Sequence, residues 1–157
     1  MAASRRTGLL GLALLAGPAL AQEVADCGET PPVTALVEPW EETSASLGAG
    51  AIRLALLHAE GEEGVRLLVL TLPPPDPEEA RPEPPVPRCR IVTEGGLGFA
   101  GLDLAGLEVE ENPETATLTV TIPSLGFIPE STALEERALS LTFGVRDDAL
   151  AAALEAP

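Results

Sequence analysis

The chain has 157 residues and a formal net charge of −16, with nine arginines and no lysine set against 25 Asp and Glu. Such a surplus repels phosphate backbones and anionic lipid surfaces, which excludes nucleic-acid binding as a class. An apolar share of 45 % excludes a wholly disordered chain, and one Trp, three Phe and no Tyr exclude an aromatic stacking platform.

Residues 1–21 carry the three parts of a secretory signal. Arg5 and Arg6 form the positive end, residues 9–16 the apolar run, and Ala19-Leu20-Ala21 offers the small residues that signal peptidase reads. Cleavage is expected before Gln22. The apolar run is shorter than the ~20 residues a membrane helix needs. Later apolar stretches are interrupted by Arg53 or Arg66, so no membrane span is expected. Ser4-Arg5-Arg6 with Leu9 partly matches a twin-arginine address, but Gly8 and Leu10 replace the expected aromatic and Lys. The expected compartment is the bacterial periplasm or the medium. Thiols oxidise there, so Cys27 and Cys89 are expected to form a disulfide. Closing a loop of about 60 residues contributes on the order of 4 kcal/mol. The rival use, a Cys89–His58 nucleophilic pair, needs a free thiol in the wrong compartment.

Along the mature chain, residues 22–50 begin polar and turn-rich, with Pro31-Pro32 and then Glu38-Pro39-Trp40-Glu41-Glu42. Residues 51–58 alternate as a strand with Ile52, Leu54 and Leu56 on one face. An acidic turn at 59–64 leads into residues 65–72, which should pair back as a hairpin. Both faces of that second strand are apolar, which suits the middle of a sheet. Residues 73–87 then hold eight prolines, with Asp76, Glu78, Glu79 and Glu83 among them. Proline donates no amide proton, so this stretch should be an extended surface loop outside any ladder. With a disulfide stapled across that loop, residues 22–157 are expected to be one domain.

Residues 89–94 resume as a strand. In 95–109, Gly101 and Gly106 would each cost a helix about 1 kcal/mol, which favours strand-bend-strand. Residues 107–110, the Asn112-Pro113 turn and residues 115–122 predict a hairpin. Its second strand points Leu118, Val120 and Ile122 inward and Thr117, Thr119 and Thr121 outward. Residues 138–145 alternate again, with Leu139, Leu141, Phe143 and Val145 on the core face. Asp147 is placed to cap a short C-terminal helix over 149–154. About seven short strands with Pro, Gly and acidic turns predict a β-sandwich or a partly closed barrel.

Residues with chemistry are few. Gly96-Leu97-Gly98-Phe99-Ala100-Gly101 matches G-x-G-x-x-G, but a dinucleotide site needs a helix to open there, and Gly106 and Pro113 weaken one. A flexible or bulged sheet edge is the plainer reading, and no cofactor is expected. There is no G-x-S-x-G elbow, and His58 is the only histidine, placed where a strand end meets solvent. One His and two paired cysteines make no zinc site. Oxygen-rich turns are what calcium takes, so Glu60, Glu62, Glu63 and the group Glu108, Glu110, Glu111, Glu114 are weak calcium candidates. No EF-hand loop is present. Trp40, flanked by Glu38, Glu41 and Glu42, reads either as an interface anchor or as a plug over one end of the core.

Four segments carry a resemblance: Glu38-Pro39-Trp40-Glu41-Glu42, residues 51–57, Cys89-Arg90-Ile91-Val92, and Gly98-Phe99-Ala100-Gly101-Leu102-Asp103. Together they resemble small exported proteins of alphaproteobacteria without known activity. The resemblance implies export and a single domain, and it transfers no catalytic residue. The leading expectation is a non-enzymatic binding or accessory protein of the periplasm whose partner is another periplasmic protein, with Trp40 and His58 as candidate binding residues. The alternatives are an acid–base hydrolase working through a carboxylate pair and a calcium-dependent surface module. Intact mass of the exported protein is expected to place the mature N-terminus at Gln22; a later start would contradict the signal assignment.

Overall fold

The computed structural model describes residues 22–59, 64–73, 86–128 and 131–155. The expected signal at 1–21, the tip of the acidic turn at 60–63 and most of the proline-rich stretch lie outside the described residues. Runs alternating apolar and polar residues become strands, because period-two spacing places one row of side chains on each face. Among the described residues these are β1 (Gln22–Asp26), β2 (Ser44–Leu47), β3 (Ile52–His58), β4 (Val65–Thr71), β5 (Arg88–Glu94), β6 (Gly101–Leu102), β7 (Glu108–Asn112), β8 (Thr117–Phe127), β9 (Leu134–Gly144) and β10 (Leu150–Glu155).

Two antiparallel sheets result, and they do not close into a barrel. The first runs β1-β5-β4-β3-β2 and the second β10-β9-β8-β6, with β7 also pairing along β8. The β3–β4 hairpin forms as expected, with Ile52 opposite Thr71 and His58 opposite Val65. β4 is the central strand of its sheet, in keeping with its two apolar faces. The β7–β8 hairpin forms too, and its turn is held by Asn112 Oδ1, which accepts from the amides of Glu114 and Thr115 at 3.0 and 3.3 Å.

The core lies between the sheets. Leu54, Leu67, Val69 and Val92 from the first sheet meet Val120, Ile122, Leu139 and Leu141 from the second, all at most 1 % exposed. Each such side chain contributes about 1.5–3 kcal/mol by leaving water. Phe99, fully buried, joins them from the β5–β6 connection. Its backbone exchanges two hydrogen bonds of 2.8 Å with Val65. That approach accounts for part of the glycine-rich motif. Gly98 has φ +143°, and a Cβ there would stand 2.9 Å from the Val65 carbonyl oxygen. A Cβ at Gly64, just before β4, would meet the Phe99 carbonyl oxygen at 2.7 Å. These glycines let two backbones touch so that Phe99 can enter the core; no helix opens there.

Three expectations are corrected. The sheets hold ten strands among the described residues, not seven, because β1 and β2 form from the polar stretch 22–50 and β10 from the C-terminal stretch. Val145 is 58 % exposed, since β9 ends at Gly144 and the chain has already turned. The short C-terminal helix does not exist: residues 150–155 are β10, antiparallel to β9. Alanine and leucine favour a helix, yet a six-residue helix is marginal alone, while Leu150, Ala152 and Leu154 gain contact with the core by extending. Asp147 bonds the Ala149 amide at 3.2 Å and shapes the β9–β10 turn instead of a cap.

Cys27 and Cys89 are bonded, with Cα atoms 5.4 Å apart at a sequence separation of 62. The bond ties the end of β1 to β5, beside a 3.1 Å hydrogen bond from the Cys27 amide to the Cys89 carbonyl. Replacing both cysteines with serine is expected to cost about 2–5 kcal/mol in denaturant unfolding. Amide exchange should then accelerate first along β1, the strand at the sheet edge.

Candidate functional site

Two inter-sheet ion pairs frame the sandwich, and both start on β5. Arg90, Val92 and Glu94 share its inner face, so a cation and an anion flank a fully buried valine. Toward one end, Arg90 Nη2 donates to Asp148 Oδ2 at 2.7 Å and to the Asp148 carbonyl at 2.6 Å. Arg88 reaches the same oxygen at 2.9 Å, and the Thr71 hydroxyl donates to Oδ1 at 2.7 Å. Toward the other end, Arg137 on β9 donates to Glu94 at 2.6 Å and, through Nε and Nη2, to its neighbour Glu135. Hydrogen bonding to Glu135, reinforced by the charge of Glu94, raises the Arg137 pKa above its usual value despite desolvation.

The Asp148 end opens into a cleft of about 570 Å³ between the sheets. Its apolar wall comes from Ile52, Leu118 and Phe143, with Leu72, Pro113 and Val145 around it and Thr71 and Asp148 as polar neighbours. Pockets that take small ligands have volumes of roughly 300–1,000 Å³ and a similar mix of apolar wall and few polar groups. The turns around the cleft are braced: the Val145 amide donates to the Ala116 carbonyl at 2.9 Å, joining the β9–β10 turn to the β7–β8 turn. Among the described residues, the non-glycine positions with left-handed backbone are Ala49, Ala116 and Asp148. Ala116 and Asp148 line the cleft, and Ala49 lies in the chain between Gly48 and Ala51, which also line it. Such conformations cost about 1–3 kcal/mol each and persist where the surroundings hold them.

The second concavity lies at the other end of β3, roughly 20 Å away at ~3.4 Å per residue. It holds about 350 Å³ and is lined by Val33, Thr34, Leu36, Glu38, Trp40 and His58. The structure thus brings together Trp40 and His58, which the sequence offered as unconnected candidates. Trp40 is no plug over the core: 59 % of it is exposed. The segment that presents it is tied to β3 on both sides of its tip. The Val37 amide donates to the Leu56 carbonyl at 3.0 Å, and the Leu56 amide donates to Thr43 at 2.9 Å. Thr43 Oγ1 donates back to Val37 and Ser44 Oγ to Trp40, closing the turn. His58 ends β3 with its side chain exposed, and Arg66 donates to its carbonyl.

The calcium candidates divide. Glu60, Glu62 and Glu63 lie outside the described residues, while Glu108, Glu110 and Glu111 are exposed along β7 and Glu114 in the turn after it. Among the described residues no three His, Cys, Asp or Glu side chains converge to hold a metal, and no helix is long and apolar enough to cross a membrane. Asp148, Arg90 and Thr71 were missed as a group. The available signal was Arg90 on the same strand face as Val92, since a charge on a core face requires a partner. No family model, curated protein or solved structure matches this chain.

Replacing Asp148 with Ala leaves Arg90 enclosed with the main-chain carbonyl of that residue but without its counter-charge, and is expected to cost about 3–5 kcal/mol in chemical denaturation. Adding Arg90→Met should recover much of that loss, because the unpaired buried charge goes with it. Equal destabilisation of the single and double variants would show that packing, not charge, sets the effect.

Proposed function

We propose that this chain is an exported, acidic, non-enzymatic binding or accessory protein of the periplasm, which holds an apolar group of another exported protein in the cleft between its sheets. The observation that carries this reading is the cleft: an apolar wall drawn from both sheets, already open, with the Asp148 carboxylate committed to partners and the exposed Glu111 of β7 also in its lining. Both carboxylate oxygens of Asp148 are taken by Thr71, Arg88 and Arg90. That arrangement braces a wall and leaves the carboxylate occupied, whereas an acid–base residue needs an oxygen directed at its substrate. The disulfide favours an oxidising compartment, and the acidic surface favours partners that are neutral or basic.

A neutral apolar dye such as N-phenyl-1-naphthylamine tests the cleft directly. The mature protein is expected to bind it saturably at one site. Ala149→Phe, which adds bulk at an exposed position of the cleft wall, should abolish that signal with little change in melting temperature. Unchanged binding in the variant would move the site elsewhere. Turnover in a panel of glycosides and esters would replace the binding reading with the carboxylate hydrolase.

A further inference from the structure

The concavity around Trp40 has a chemistry distinct from that of the cleft. One wall is an indole, 59 % exposed, and Val33 beside it is 74 % exposed. Glu38 supplies a carboxylate to the lining, and Glu41 and Glu42 follow Trp40 in the same exposed turn. Among the described residues no arginine is part of the lining; Arg66 reaches the His58 carbonyl from β4. An indole face attracts a cation through its quadrupole, and a carboxylate at its edge adds charge and a hydrogen-bond acceptor. Leu36 and Val33 offer contact to the aliphatic stem that a long basic side chain carries.

We infer that this concavity is a docking site for an arginine or lysine side chain of a partner protein, flanked in that partner by an apolar residue. The occupant is chosen by charge complementarity. The concavity presents Glu38 and lies on a chain of net charge −16, which disfavours acidic and anionic occupants. A bare small cation would leave Val33 and Leu36 exposed, so a side chain with a stem fits better. The turn is held at Leu56 and Thr43 before any ligand arrives, which limits the ordering cost of binding. The site does not rest on the cleft, so either can fail without the other.

Trp40 is the only tryptophan and the chain has no tyrosine, so intrinsic emission reports this site alone. The mature protein would be titrated with a capped Leu-Arg-Leu peptide and with its uncharged isostere Leu-citrulline-Leu, at fixed ionic strength. A saturable emission change is expected for the arginine peptide, with affinity about three- to fivefold above that of the citrulline peptide. Glu38→Gln should remove most of that preference. Trp40→Leu, followed by amide NMR shifts, should weaken the arginine peptide about as much. A triple Gln variant of Glu108, Glu110 and Glu111, on β7 and outside the lining of the concavity, should leave both affinities unchanged. Equal binding of the two peptides, absence of saturation, or an equal loss in the β7 variant would each overturn the proposal, the last by showing attraction of the whole surface. Ethylguanidinium binding as tightly as the peptide would overturn the protein partner in favour of a small cation. Emission that depends on protein concentration without peptide would overturn it in favour of a second copy of the chain.

Discussion

The inner face of β5 carries Arg90, Val92 and Glu94, and the registration of the two sheets follows from that row. Arg90 meets Asp148 of the β9–β10 turn, and Glu94 meets Arg137 near the start of β9. The signs are opposite at the two positions. Sliding one sheet along the other would leave both β5 charges without partners in a place water reaches poorly. A broken buried pair costs about 3–5 kcal/mol, a large fraction of what holds a domain of this size folded. Hydrophobic burial drives the sheets together but is nearly indifferent to small shifts; the two ion pairs supply the direction. The cleft is then a consequence. Its position between Ile52 and Phe143 is set by where Asp148 is anchored to β5.

The same pairs shape the outer electrostatics. Seven arginines follow the expected cleavage site, and Arg88, Arg90 and Arg137 are drawn into ion pairs between the sheets. Much of the positive charge is thus spent on carboxylates of the interior, while β7 presents Glu108, Glu110 and Glu111 to solvent. An acidic edge strand also discourages another chain from pairing along it, since like charges or unpaired glutamates would have to be accommodated.

The strands whose alternation was strong were legible in the sequence. Over residues 52–56 of β3 and 118–122 of β8 every second residue is large and apolar, and the structure buries that row: Ile52, Leu54 and Leu56 in one, Leu118, Val120 and Ile122 in the other. The disulfide was legible from cysteine number and compartment. β1 and β2 were not, because they are edge strands: Gln22–Asp26 and Ser44–Leu47 carry one modest apolar row each, β1 being recruited by β5, distant in sequence, and β2 by β3, the next strand. β10 was misread for a related reason. Its alanines prefer a helix locally, and only the presence of β9 beside it makes extension the better choice. Of the candidate sites, Trp40 and His58 were visible as residues, but their meeting depends on how residues 36–43 pack along β3. The Asp148 cluster depends on the order of strands in space, which alternation does not encode.

The two concavities occupy opposite ends of β3, and the physics of each end explains their difference. At the Ile52 end the strand feeds the space between the sheets, so a gap there is lined by core side chains and is apolar by construction. At the His58 end the chain outside the sheet, residues 33–43, folds against β3 and brings the acidic Trp40 segment with it. A partner engaging both would place an apolar group and a basic group about one strand length apart. Two weak contacts on one rigid scaffold reinforce each other only when the ligand's spacing matches, because the second contact then forms at high effective concentration. β3 is held on both sides by β2 and β4, so it sets that spacing. Selectivity would then come from the distance between two simple sites, which suits a domain with one tryptophan and one histidine.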